Sequence, residues 1–498
     1  MTRNPVREDI FTPRRAGVLL HPTCLNSPWG VLGKASREFV DFLSHAGLRV
    51  WQTLPIGPTH RDKSPYQSLS AHAGNPDFID LAELVLWGLL QEADLDQASL
   101  GEEGRHYLMA RAAEHFFAGK ATAGGGPSLD DYEAFRRTND YWLEDFSLFC
   151  AIRESHSGLE WVSWPGELRD RVPEALETFS HQNEDTIRRV CFEQYLFHYQ
   201  WQALRGYARE RNILLFGDIP IFVSHDSADV WANRKLFKLD PQGYATVVAG
   251  VPPDYFAPDG QHWGNPIYDW DAMAVDDYQW WRQRLESQRH LFDLIRIDHF
   301  RGLHAYWEIP ADQPRASNGY WVPGPADRFL SSCYRAFPDL PLVAENLGII
   351  SDEVEDLRKA FRMPGMTVLQ FGFDGSPGNP HLIHNHHNRD LVYTGTHDND
   401  TTLGWYQSLD EHTRNYVNRY LGSDGQDMPW PMIRAVFGSV SSLAVIPMQD
   451  FLGLDSSARF NTPGTTTNNW AWQLDWNLVS PGLADRIRDL AGLYGRLM

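Results

Sequence analysis

Long apolar runs are missing from this chain. No stretch approaches the roughly 18 residues of a membrane span, and the run Ala16 to Leu20 is too short for a span or a signal peptide. The expectation is a cytoplasmic protein with no membrane partner. Cysteine is scarce. The four thiols, Cys24, Cys150, Cys191 and Cys333, are scattered and form no CxxC pair, which argues against a zinc site or a disulfide scaffold. They read as buried thiols of a reducing cytosol. Positive charge is also in short supply, with 44 Lys+Arg against 65 Asp+Glu and a net charge of -21. Such a surface repels phosphate backbones and excludes nucleic acid as the natural partner. No internal repeat or low-complexity tract is present. With 42% hydrophobic and 22% charged residues the chain is globular.

What it has in abundance is aromatic side chains: 19 Trp, 19 Tyr and 26 Phe. Six of the tryptophans fall between Trp263 and Trp321. An indole N–H wants a partner, so Trp is costly as filler. Either the protein has a large aromatic core or it offers stacking platforms to the C–H faces of sugar rings. Composition leaves both open.

Eight short apolar runs recur along the chain, each ending in polar or Gly residues: Gly17–His21, Val50–Leu54, Ile213–Asp218, Leu294–Asp298, Leu342–Glu345, Met366–Phe371, Leu391–Thr394 and Ser442–Pro447. Their length suits strands buried on both faces. Helical patterns follow several of them. Lys34–Ala46 carries Phe39, Phe42, Leu43 and Ala46, and Ser351–Arg362 opens with Ser and an acidic turn and places Val354, Leu357 and Phe361 on one stripe. Eight alternating βα units predict a (β/α)8 TIM barrel over residues 1–498. A plain barrel needs about 250 residues, so large insertions are expected. One is a helical subdomain over 85–212, between strands two and three, with helices at Arg105–Phe117, Ser128–Glu154 and Glu184–Arg211 and a surface loop at Gly124–Pro127. The other is a loop-rich insertion at the barrel mouth over 219–280.

Three strand candidates end in acids with unusual neighbours. Strand four ends Arg296-Ile-Asp298-His299, strand five ends Ala-Glu345-Asn346, and strand seven leads into His397-Asp398-Asn399-Asp400. A barrel brings all three ends to its C-terminal mouth. Alternate residues of a strand share a face, so Arg296 lies beside Asp298 and holds it ionised, as a nucleophile needs. Converging carboxylates bind a hard cation or perform glycoside chemistry. Arg296 would oppose a cation, and the aromatic richness favours sugar.

At this point a resemblance is visible. Ser64-Pro-Tyr-Gln-Ser68, Gly74-Asn-Pro76, Gly217-Asp-Ile-Pro-Ile-Phe-Val223, His225–Trp231, Gly250–Phe256, Gly260–Pro266, Arg296–Gly302, Tyr306–Pro310, Ala344–Gly348, Gly395–Thr401 and Asn469–Trp472 occur in that order. Together they resemble the amylomaltases, or 4-alpha-glucanotransferases, of the alpha-amylase clan, along nearly the whole chain. The resemblance implies Asp298 as nucleophile, Glu345 as general acid and base, and Asp398 as the carboxylate that distorts the sugar ring. It implies that Arg296 and His397 hold the sugar, with Tyr66 and Asp218 on the donor side, Trp263 flanking the acceptor side, and Asn265 and His299 also binding substrate. It implies a retaining double displacement on alpha-1,4-glucans, from maltooligosaccharides to starch or glycogen fragments, with glucose or another glucan as acceptor and with no cofactor or metal. A hydrolase using the same carboxylates is the alternative. The loop Gly250–Pro266 is the expected cover against water, with Tyr255 and Phe256 facing the mouth, whereas Trp51 and Trp142 are expected in the core. Two positions depart from the family pattern. Asn346 stands where an Asp is usual, which should lower the pKa of Glu345 slightly, and Gln473 stands where an Arg is usual. The loop Thr59-His60-Arg61 also lacks an aromatic used by some members for a remote glucan contact.

Overall fold

Each of the eight expected runs forms a strand: β1 (Arg15–Leu19), β2 (Val50–Gln52), β3 (Leu214–Ile219), β4 (Leu294–Ile297), β5 (Leu342–Ala344), β6 (Met366–Val368), β7 (Leu391–Tyr393) and β8 (Leu443–Pro447). This is a computed structural model, which describes residues 10–98, 101–120, 125–253 and 259–497. The strands are short because both faces are covered, by the barrel interior on one side and by helices on the other. All pair in parallel, in the order β6-β7-β8-β1-β2-β3-β4-β5. The helix Lys34–His45 packs Phe39, Val40 and Leu43 inward, and Asp352–Ala360 does the same with Val354 and Leu357. Ser351 occupies the N-cap position of the latter, but its side chain does not cap the backbone. Gly217 in β3 is required by close approach, because a Cβ there would lie 2.2 Å from the Phe292 ring.

The two outer strands, β5 and β6, share no ladder, and the barrel closes there by individual bonds. The Ala344 N–H donates to the Pro364 carbonyl at 2.9 Å, and the Met366 N–H donates to Asn346 Oδ1 at 2.7 Å. Pro364 accepts but has no N–H to return, which interrupts a regular ladder. Asn346 Nδ2 then donates to Glu355 Oε1 at 2.6 Å. Arg358, itself buried, binds Glu355, the Met363 carbonyl and Asp390, and Asp390 accepts from the Gly365 N–H at 2.9 Å. A buried polar chain thus does the work of missing ladder bonds.

Between β2 and β3 the chain is largely helical, with Glu102–Phe117, Leu129–Thr138, Asp140–Ser155, Pro173–Gln182 and Glu184–Glu210 as the longer segments. The single helix expected over 128–154 is broken at Asn139. There the side chain turns back to the Phe135 carbonyl at 2.9 Å, as a short amide does when it competes with the helix. Gly124, the start of the expected surface loop, lies outside the described residues. The long helix Glu184–Glu210 lies against the barrel and buries Phe192, Leu196 and Trp201. Its Gln194 and Gln200 each exchange two hydrogen bonds with the backbone of Gly74 and Asp80, pinning the segment after β2.

Residues expected to be loop-rich contain part of a second sheet. Gln261–Pro266, Val247–Val251, Ala305–Pro310 and Tyr320–Pro323 lie antiparallel in that order. A register shift between Val248 and Gly250 hides the two-residue alternation by which such strands are recognised. Tyr255 and Phe256, expected at the mouth, lie outside the described residues. Trp51 and Trp142 are core, and Trp161, Trp201, Trp231 and Trp281 are among the most deeply buried side chains. All four cysteines are unbridged, with Cys150 partly exposed and the others buried. Among the described residues no helix is long and apolar enough to cross a membrane.

Candidate active site

The ends of β4, β5 and β7 open onto one cleft of about 1100 Å³. Its lining includes Tyr66, Trp263, Asn265, Arg296, Asp298, His299, Glu345, His397 and Asp398. Nine of the ten residues singled out from the sequence therefore meet in one place. The tenth, Asp218, does not line the cleft. Its side chain is fully buried beneath Arg296 and Tyr66.

The floor of the cleft is set by register. Asp218 of β3 pairs with Arg296 of β4, so both side chains rise on the same layer. The guanidinium forks: Nη1 donates to Asp218 Oδ2 at 2.5 Å and Nη2 to Asp298 Oδ1 at 2.7 Å. Tyr66 Oη donates to the same Asp218 oxygen at 2.7 Å and lies 2.9 Å from His397 Nε2. The Tyr66 ring, expected to stack on sugar, lies nearly parallel to the His397 ring at 5.3 Å, with Trp470 tilted at 6.1 Å.

Beyond Asp298 the chain turns through a left-handed residue, His299, with φ 52°. That turn aims its N–H at Glu345 Oε2 at 2.7 Å, while the Leu347 N–H donates to Oε1 at 2.8 Å. A non-glycine residue in this conformation stores strain, and here the strained peptide holds a carboxylate. Trp263 meets the His299 ring edge-on at 4.9 Å and donates its own N–H to Gln261. Asn265 is anchored through Nδ2 to the Val223 carbonyl at 2.9 Å. Asn346 commits its side chain to the barrel seam and makes no hydrogen bond to Glu345.

The loop after β7 carries His397 and Asp398, with Asp398 Oδ2 3.3 Å from His397 Nε2. Two residues that sequence reasoning missed complete this side. Asn461 Nδ2 donates to Asp398 Oδ1 at 2.6 Å, and Arg459 donates to the Asp398 carbonyl at 2.7 Å. They follow β8 in an irregular stretch without periodicity, so only the fold relates them to strand seven. Trp470 belongs to the Asn469–Trp472 motif but carried no expected role.

Charge is concentrated and poorly solvated here. Burial pushes the Asp298 carboxyl up to about 8; Asp218, Glu345 and Asp398 add to this, and Arg296 opposes it. Burial also raises Glu345, against the pull of Arg296 and of the N–H groups of Leu347 and His299. Burial disfavours the Arg296 charge, but Asp218 and Asp298 overcome it and hold the guanidinium protonated. His397 is lowered by burial, with Asp398 opposing. Burial likewise holds His299 neutral, down at about 3. Among the described residues no three His, Cys, Asp or Glu side chains are grouped to hold a metal ion.

Comparison with known proteins shows the family. A 4-alpha-glucanotransferase from Thermus thermophilus is 45% identical over 497 residues, covering 97% of this chain and 99% of its own. One from Synechocystis is 43% identical, with 98% and 99% covered. The solved amylomaltase from Streptococcus agalactiae, in complex with acarbose, superimposes with a TM-score of 0.92 at 33% identity, covering 97% of this chain and 99% of its own. The family model described as 4-alpha-glucanotransferase matches residues 20–478, and this chain belongs to that family.

Proposed function

We propose that the 4-alpha-glucanotransfer of this family runs here with Asp298 as nucleophile, Glu345 as general acid and then base, and Asp398 as the carboxylate that binds the donor sugar's hydroxyls. One observation carries the assignment. Arg296 touches Asp298 at 2.7 Å and makes no hydrogen bond to Glu345. Both carboxyls are pushed up by burial. The cation in direct contact with Asp298 favours the negative charge there over Glu345. That is the state a retaining attack requires.

In the first step Asp298 attacks the anomeric carbon of an alpha-1,4-glucan. The glycosidic bond breaks, and its electron pair and the Glu345 proton go to the departing 4-oxygen. The enzyme then holds a covalent glycosyl ester. In the second step Glu345, now ionised, takes the proton of an acceptor's 4-hydroxyl, whose oxygen displaces Asp298. Arg296 stabilises the carboxylate released each time. Asp218 and Tyr66 orient Arg296 and His397, and Asp218 acts from beneath the cleft floor.

Asp398, His397 and Asn461 are placed to bind the donor glucose, with Tyr66 bracing His397. Trp263, Asn265 and His299 form the acceptor side. Maltooligosaccharides and longer alpha-1,4-glucans are the donors, and glucose or another glucan chain is the acceptor. Acarbose, bound by the Streptococcus agalactiae relative, should compete for this cleft. The four free cysteines suit a reducing compartment such as the cytoplasm. The loop Gly250–Pro266, expected as the cover against water, lies partly outside the described residues, and its two flanks are held in the antiparallel sheet.

Incubation with maltotriose tests the reading. Transfer yields a ladder of longer maltooligosaccharides together with glucose and maltose. Reducing ends that rise without longer products would mean hydrolysis. Asp298→Asn should abolish both, and unchanged conversion by that variant would remove Asp298 from the chemistry.

A further inference from the structure

The loop that presents His397 and Asp398 runs from Thr394, just after β7, to Thr402, the first residue of the helix Thr402–Ser408. Both threonines are completely buried. Both bind the same carboxylate. Asp450, in the turn after β8, accepts from Thr394 Oγ1 at 2.5 Å and Thr402 Oγ1 at 2.6 Å on Oδ2, and from the Thr402 N–H at 2.7 Å on Oδ1. Asp450 is 1% exposed and does not line the cleft. One buried anion therefore ties the two ends of a short loop.

Other bonds act in the same direction. Gln370 Nε2 donates to the Asp400 carbonyl at 3.0 Å, and the Gln370 N–H donates to the Thr394 carbonyl at 3.2 Å. Ser456 donates to Asp400 Oδ2 at 2.5 Å. With Asn461 and Arg459 already on Asp398, the residues after β8 grip this loop along its length. Gln370 also reaches both ends, through the Thr394 carbonyl at 3.2 Å and Thr402 Oγ1 at 3.3 Å, but Asp450 holds them with three shorter bonds to one carboxylate. Cutting those three bonds would leave the ends of the loop of His397 and Asp398 to the longer bonds of Gln370.

We propose that Asp450 is a positioning residue for glucanotransfer, fixing the loop of His397 and Asp398 so that the Asp398 carboxylate meets the donor sugar in one geometry. This rests on the role given to Asp398 above. A shift of about 1 Å in a reacting group costs on the order of 100-fold in rate. Asp450→Ala should therefore lower kcat for maltotriose about 10- to 100-fold, with a smaller change in KM. Asp450→Asn has the same shape and can still accept the Thr402 N–H, so it should recover part of the loss. Hydrogen exchange should rise over residues 395–401 more than over the barrel strands. If Asp450→Ala does not fold, Thr394→Val removes a single bond to the same carboxylate and should show a smaller loss of the same kind.

A kcat within about threefold of the parent, with only a lowered melting temperature, would overturn the proposal, because that is the signature of a purely structural residue. So would exchange that rises equally throughout the barrel. Asp398→Asn is measured alongside. If that variant keeps full activity, the role of Asp398 fails, and the reason given for Asp450 fails with it. If Asp398→Asn is inactive while Asp450→Ala is not, the Asp450 proposal alone fails.

Discussion

Replacing Arg296 separates what its charge does from what its shape does. Its two terminal nitrogens reach Asp218 and Asp298 at once, at 2.5 and 2.7 Å, and the side chain is 6% exposed. A lysine keeps the charge but offers a single point, so Arg296→Lys can hold only one of the two carboxylates well. Losing one hydrogen bond to a charged group costs about 1.5–3 kcal/mol, or about 10- to 150-fold in kcat/KM at 1.36 kcal/mol per decade. Arg296→Met leaves both carboxylates without their cation. Breaking such a buried pair costs about 3–5 kcal/mol, or about 150- to 5,000-fold. The sign of the pH effect is also determined. Burial already pushes Asp298 up to about 8, and Arg296 is the group that pulls it down. Without Arg296 the carboxyl rises further, so a higher pH is needed to ionise the nucleophile. Initial rates of maltotriose transfer between pH 5 and 9 should show the acid limb of kcat/KM displaced to higher pH, more for Met than for Lys. An Arg296→Met enzyme within about tenfold of the parent would falsify the argument. An acid limb that stays in place or moves to lower pH would do the same.

Three other substitutions probe the same framework. Asp298→Asn should be inactive yet no less stable. A carboxyl raised in the folded state favours folding at pH below its unfolded value and costs stability as pH climbs toward about 8. The melting temperature of Asp298→Asn relative to the parent should therefore climb between about pH 4 and 8, and a falling difference would contradict the raised carboxyl. Tyr66→Phe removes the hydroxyl shared by Asp218 and His397, which should lower kcat/KM about 10- to 100-fold with little effect on expression or fold. An unchanged kcat/KM would show that this hydroxyl orients neither partner. Asn346→Asp sets a second carboxylate 2.6 Å from Glu355 in the barrel seam, so it should destabilise the protein by about 1–3 kcal/mol in denaturant unfolding. Adding Glu355→Gln should restore part of that, and a failure to restore it would point to another cause.

Much of the barrel was legible because its strands are buried on both faces, and runs such as Ile213–Asp218 and Ser442–Pro447 differ from the observed β3 and β8 only at their ends. The carboxylates were legible for a related reason. Strand ends in a parallel barrel converge, so Asp298, Glu345 and Asp398 could be brought together without knowing any distance. Other features depend on tertiary packing and left no local mark. The antiparallel sheet of 247–251, 261–266, 305–310 and 320–323 is interrupted by glycine and a register shift, and its strands come from two separate excursions. Asp218 looked like a group in the cleft, but Arg296 and Tyr66 cover it, and the depth of a layer inside a barrel cannot be read from one strand alone. Asp450 is an isolated acid after a hydrophobic run, and its threonine partners lie 48 and 56 positions away.

The seam between β5 and β6 makes the barrel mechanically uneven. The strand before Asp298, β4, is laddered on both sides, to β3 and to β5. The strand before Glu345 is laddered on one side only, and its free flank is pegged by the Ala344 amide and the Asn346 side chain. Asp298 thus follows a strand laddered on both sides, and Glu345 one laddered on a single side and pegged on the other. A double displacement asks different things of these groups. The nucleophile must return to one carbon from one direction, whereas the proton carrier must first reach a departing oxygen and then an arriving one. With the roles proposed above, the bonds of this seam, and not a ladder, set how far Glu345 can adjust between the two oxygens.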